Sequence, residues 1–188
     1  MRLLTILGAR LGAAGIALSI LIATSPLSAS AADVTPDVVV KAAFLYNFAK
    51  FAEWPDLAAG APIVVCIVGN EEIATAFVQA TRGRNISGHP LDVWRLREPD
   101  TWRVCNMLFI ADADAGRAAR GLGAIATRPI LTVSDREGFS QTGGIVEFYL
   151  EGGRMRFAIN ADAAERSGLH LSSRLLGLAK VTRNGDVR

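Results

Sequence analysis

Histidine and cysteine are scarce in this chain of 188 residues, with two of each, and neither type is spaced for a metal site. His89 and His170 stand far apart in sequence and have no metal-type spacing to Cys66 or Cys105. A phosphate-binding loop ending in Gly-Lys-Ser is absent. Gly121-x-Gly123 lacks a third glycine and falls inside a helical stretch rather than after a strand, so it is not a dinucleotide fingerprint. Nucleophilic hydrolysis needs a Ser or Cys, a base and an orienting acid, and the two histidines are the only bases poised near neutral pH. His89 precedes Pro90 in a loop and His170 lies between Leu169 and Leu171; both read as surface or half-buried side chains. No catalytic residues, metal or cofactor are therefore expected. Charge of one sign is lacking as well. Arg2 and Arg10 are two of the 20 basic residues, and without them the balance against the 18 acids is even. A nucleic-acid partner would require a clustered basic excess. There is no internal repeat and no low-complexity segment.

The amino terminus carries Arg2 and Arg10, an apolar and small-residue run from Leu11 to Thr24, Pro26, and then Ser28-Ala29-Ser30-Ala31-Ala32. This reads as a cleavable secretory signal over 1–32, cut near Ala32 or Asp33. A membrane anchor needs about 20 apolar residues, more than the run supplies, and no cysteine near the cut suggests a lipoprotein. The expectation is an exported, periplasmic domain over 33–188, a usual size for a single core. An exported even pair of cysteines reads first as a disulfide between Cys66 and Cys105, with two buried free thiols as the alternative. Both lie in apolar, strand-like runs.

The order of elements points to an α/β fold. Thr35-Pro36-Asp37 opens a helix that should run to about Glu53. Strands are expected over Pro62 to Val68, around Leu91, Val93 and Leu96, over Val104 to Ala111, and over Pro129 to Val133. Helices are expected over Glu71 to Thr81 and Ala113 to Ile125. Continuous apolar strands in β-α-β-β-α-β order imply a mostly parallel sheet flanked by helices in three Rossmann-like layers. A carboxy-terminal hairpin turning on Gly152-Gly153 follows, then two short helices. The second of these takes Leu175, Leu176, Leu178, Ala179 and Val181 as its apolar side.

Two surfaces are candidates for function. On the first helix, Val38, Ala42, Leu45, Ala49 and Ala52 form one apolar stripe, and Val40, Phe44, Phe48 and Phe51 form a second beside it. Together they are wider than packing on one core requires. Either the helix is deeply embedded, or Phe44, Phe48 and Phe51, with Trp54 beyond them, form a partner or dimer interface. The second surface is the loop Ser134 to Gly144, which leaves a strand end where open α/β sheets bind ligands. Ser134, Asp135 and Phe139 belong to it, and Arg84 or Arg174 could serve as anion partners. Asp112 and Asp114 read as helix-start acids.

The run Lys41-Ala42-Ala43-Phe44-Leu45-Tyr46-Asn47-Phe48-Ala49-Lys50-Phe51-Ala52-Glu53-Trp54-Pro55 resembles the YfiR family of periplasmic regulators. Cys66 with Gly69, Gly83-Arg84, Cys105, Ile130 to Asp135 with Gly138-Phe139, Gly143-Gly144-Ile145, Phe157 to Asn160 and Leu171-Ser172-Ser173 follow in matching order. The resemblance implies a homodimeric α/β regulator with a Cys66–Cys105 bridge. It further implies repression of a membrane-bound diguanylate cyclase through that enzyme's periplasmic domain, and sequestration by an outer-membrane lipoprotein. The chain departs from better-known members in lacking a second cysteine pair around the Gly143 to Gly153 hairpin.

Overall fold

The computed structural model describes residues 35–97, 99–112 and 121–183, all within the compact unit Asp33–Arg188. The expected signal, Asp114 with most of the helix expected from Ala113, and the tail from Asn184 lie outside the described residues.

Helix α1 spans Pro36–Phe51 and β1 Ala52–Glu53; β2 spans Ile63–Val68 and α2 Glu71–Thr81. Next come β3 (Asn85–Ile86), β4 (His89–Leu96), a 3-10 segment over Pro99–Val104 and β5 (Met107–Ile110). A helical turn covers 121–125, followed by β6 (Leu131–Ser134), β7 (Val146–Glu151) and β8 (Arg154–Asn160). The chain continues through α3 (Ala161–Arg166), β9 (His170–Leu171), α4 (Ser173–Leu176) and β10 (Lys180–Thr182). Eight strands form one sheet in the order β10-β8-β7-β6-β5-β2-β4-β3. Pairing is parallel from β4 through β2, β5 and β6 to β7, antiparallel within the β7–β8 and β3–β4 hairpins, and parallel between β8 and β10. The mostly parallel, helix-flanked sheet expected from the sequence is therefore the fold.

Alternation of side chains along the strands divides the core in two. Val65, Ile67, Met107, Phe109, Leu131, Val133 and Val146 face the layer of α1 and α2. Cys66, Val68, Leu108 and Ile110 face Trp102, Cys105, Ile125 and Phe139 on the other side. Cys66 and Cys105 are joined as a disulfide with Cα atoms 5.8 Å apart, which fastens the 3-10 segment to the middle of β2. Asn106 secures the same junction. Its side chain accepts from the Val64 N–H at 2.8 Å, and its carbonyl accepts from the Trp54 indole at 3.0 Å and the Leu131 N–H at 2.8 Å.

The stripe Val38, Ala42, Leu45, Phe48 and Ala49 of α1 is buried. Phe48 stacks edge-on to Phe157 at 4.9 Å and lies 5.6 Å from Phe148, while Phe44 lies 5.8 Å from Phe148 and 5.5 Å from Phe157. Four rings thus dock α1 onto the β7–β8 hairpin, each pair adding about 0.5–1.5 kcal/mol beyond its buried area.

Short strands are where the sequence expectation fails. Helix α1 stops at Phe51 because Ala52 turns to extended backbone (φ −101°, ψ 148°), and Ala52–Glu53 instead pairs with Leu171–His170 of β9. Asn85–Ile86, where no element is expected between the helix ending at Thr81 and the strand around Leu91, is a strand hairpinned to β4 through Ser87 (φ 52°) and Gly88 (φ 88°). The last expected helix is only Ser173–Leu176. Lys180–Thr182 forms edge strand β10 beside Ala158–Asn160, so Leu178 and Val181 are exposed rather than packed along a helix. Gly152 and Gly153 turn the β7–β8 hairpin at φ 57° and 74°, the left-handed pair a two-residue hairpin turn requires.

The two stripes of α1 differ in what they hold up. Phe48→Ala should destabilise the protein by about 3–5 kcal/mol through the cavity it leaves, whereas Val40→Ala, at a 39% exposed position, should cost under about 0.5 kcal/mol. Urea unfolding of the two variants measures the contrast.

Candidate functional site

The β7–β8 hairpin overhangs the end of the parallel sheet. Strand β6 finishes at Ser134, opposite Glu147, while β7 continues through Phe148–Glu151, an overhang of about 13 Å at roughly 3.3 Å per residue. Beneath it lies a cleft of about 750 Å³. Its walls are the start of α1 (Asp37, Lys41), the ends of β5 and β6 (Asp112, Asp135) and the hairpin (Leu150, Met155).

Two carboxylates build this end of the molecule. Asp135 accepts the Asp112 backbone N–H on Oδ1 at 2.8 Å and the Lys41 ammonium on Oδ2 at 2.8 Å. Lys41 also reaches Asp37 at 2.9 Å, one turn earlier on α1. The three charges join the amino-terminal half of α1 to the ends of β5 and β6. Burial alone would lower the Lys41 pKa, but hydrogen bonds and charge from Asp135 and Asp37 outweigh it and hold the group above its ordinary 10.5. Glu147 is buried on β7. Its Oε1 accepts the Gly138 N–H at 2.9 Å, and its Oε2 accepts the Ser140 N–H at 2.9 Å and the Ser140 hydroxyl at 2.6 Å. A buried charge is tolerated where such donors surround it, and these donors all belong to one loop.

The loop from Ser134 to Gly144 is therefore a built structure. Ser134 is buried and donates to the Ile110 carbonyl at 2.7 Å. Asn160 donates to the Ser140 carbonyl at 2.6 Å while capping α3 through Ala163. Phe139 points inward, 2% exposed, into the core that holds the disulfide. A side chain on Gly144 would collide with its ring.

The expected site residues do not converge. Asp135 alone among them lines the cleft. Ser134 and Phe139 are structural supports beneath it. Arg84 stacks over Tyr46 at 5.3 Å and Arg174 over Phe51 at 5.7 Å, and neither arginine lines the cleft. Of the expected interface ridge, Phe48 is 0% and Trp54 8% exposed; both are spent in the chain's own core, and Phe44 and Phe51 are only half-exposed. What α1 leaves outside is Val39 and Val40, beside Asp37 and Lys41. His89 donates from Nδ1 to the Ala61 carbonyl at 2.8 Å, a loop tie, and His170 sits in the two-residue β9. Lys41 and Glu147 were not singled out from sequence. Asp37 and Lys41 had the i, i+4 spacing of a helix pair, and a charge inside the apolar run from Ile145 to Leu150 marked Glu147 as a residue needing partners.

A family model described as YfiR/HmsC-like matches residues 39–180. Among solved structures, a conserved domain protein from Vibrio cholerae O1 biovar eltor str. N16961 aligns with 77% of this chain and 60% of its own, at 12% identity and a TM-score of 0.47. The chain thus spans about three fifths of that protein's length.

Lys41→Met should destabilise the protein by about 1–3 kcal/mol, the scale of lost hydrogen bonds to a charged group. A raised lysine pKa contributes stability that is complete below the unfolded-state value and fades as pH climbs through the folded-state value. The gap between wild type and Lys41→Met should therefore hold from neutrality to about 10.5 and narrow above it. Denaturant midpoints across that range test the sign; a gap that widens in alkali contradicts it.

Proposed function

The chain belongs to the YfiR/HmsC-like family, and from that premise we propose that it represses an inner-membrane diguanylate cyclase by binding the cyclase's periplasmic domain, lowering cyclic di-GMP. The single observation carrying this reading is the family match, which runs from the first turn of α1 to the first residue of β10 and so takes in every strand of the sheet except the end of β10. Membership supports a periplasmic regulator of cyclic di-GMP signalling. The disulfide buried between the sheet and the 3-10 segment supports export, because such bonds persist in oxidising compartments. Among the described residues no helix is long and apolar enough to cross a membrane.

In this proposal the segment 1–32 is a removed export signal, and 33–188 works as one regulatory, non-catalytic domain. Its partners are the periplasmic domain of the cyclase, an outer-membrane lipoprotein that sequesters the repressor, and a second copy of the chain. Physically, this is a binding protein: control comes from which partner surface is occupied. The cleft under the hairpin favours a second reading, a periplasmic small-ligand sensor, since 750 Å³ falls in the range of small-molecule sites.

Cellular cyclic di-GMP separates the readings. Deleting the gene should raise it; the intact gene should restore it, and a copy without Leu11 to Ala31 should not. An unchanged level across several growth conditions would remove the repressor reading and leave the ligand sensor, to be pursued by a melting-temperature screen of periplasmic metabolites.

A further inference from the structure

Strand β7 is hydrogen-bonded on both sides only at its beginning. Its register with β6 covers Val146 and Glu147 and no more, whereas its register with β8 runs to Glu151. From Phe148 to Glu151 the edge toward β6 has no strand of the described residues beside it, and that edge borders the cleft. An open strand edge offers unpaired backbone N–H and C=O groups to an added strand. Proteins commonly protect such edges with charge or cover, but Leu150, at the middle of this one, is a large apolar side chain 69% exposed.

The charges around the edge set the sign of what it accepts. Lys41 is neutralised by Asp37 and Asp135, and Glu147 is satisfied by loop donors. Asp112 and Glu137 are exposed on the cleft and neither is ion-paired to a described residue. With Asp135, Asp37 and Glu147 they outnumber the cleft's two lysines, Lys41 and Lys180.

We infer that the cleft is a strand-addition slot: an extended segment of a partner protein, alternating apolar and basic side chains, pairs with Phe148–Glu151 and sets its basic groups against Asp112 and Glu137. The backbone ladder supplies affinity and the alternate side chains supply selectivity. This inference rests on the partner-binding reading above and names the chemistry of the segment such a partner would insert.

The test is a titration of ¹⁵N-labelled protein, purified from the periplasm, with the peptide acetyl-Val-Lys-Val-Lys-Val-amide. Two comparison peptides carry Glu in place of Lys, or N-methyl groups along one edge of the strand. The basic peptide should shift the amides of Phe148–Glu151 and Glu137–Gln141 saturably. The Glu peptide and the N-methylated peptide should each bind at least about ten-fold more weakly, as expected when charge-assisted or backbone hydrogen bonds are lost. The double variant Asp112→Lys/Glu137→Lys, with its spectrum outside the cleft unchanged, should lose a similar factor for the basic peptide. The inference is overturned by shifts that map elsewhere, by no shifts, or by equal binding of the acidic or N-methylated peptide. Because the titration does not depend on cyclic di-GMP, its failure beside a positive deletion result would place the partner on another surface, while its success beside a negative one would leave the slot without a cyclase.

Discussion

A carboxylate that enters the interior of a sheet has to be met there by hydrogen-bond donors, and in this protein that requirement shapes the cleft end of the molecule. Glu147 stands on β7 opposite the last residue of β6, and its oxygens gather Gly138 and Ser140 around them. Curling the loop back to supply those donors drives Phe139 into the core beside the disulfide. Gly144 must stay bare where the ring passes, and the Ser140 carbonyl is brought to Asn160, which caps α3. With the loop folded onto Glu147, β6 ends at Ser134. The hairpin runs on alone, and the step between them is the cleft.

The two layers against the sheet then divide the labour. On one face the rings of Phe44, Phe48, Phe148 and Phe157 lock α1 to the hairpin, which brings Asp37 and Lys41 to Asp135. On the other the Cys66–Cys105 bridge holds the 3-10 segment over β2. Closing a loop of about 40 residues in this way restricts the unfolded chain by roughly 4 kcal/mol in an entropy model. Leu150 is left exposed on the cleft and Val39 and Val40 on the outside of α1.

Much of this was legible in the sequence because it follows from local chemistry. Apolar runs without alternation gave β2, β5 and β6 as buried parallel strands. Gly152-Gly153 gave the hairpin, and the even cysteine pair gave the bridge. The short strands were not legible: β1, β9 and β10 are two or three residues long and owe their existence to backbone pairing with distant partners, which leaves no periodicity to read. Breadth of the apolar surface on α1 marked an unusual helix but could not say whether its second stripe faced inward. The sheet supplies the answer, since Phe148 and Phe157 receive it. The cleft escaped for a related reason. It depends on how far β7 outruns β6, a register that only the three-dimensional pairing fixes, and on Lys41 and Asp135, which are 94 positions apart.

On the function proposed above, the cleft end of this domain is where a membrane-bound cyclase is held. Photo-cross-linking in intact cells tests it most directly, with a photoreactive residue placed at Leu150 in one strain and at Glu72, an exposed position on α2, in another. The account predicts an adduct from position 150 that contains a diguanylate cyclase and is absent from position 72. Equal adducts from both positions, or none with any cyclase from position 150, would contradict it.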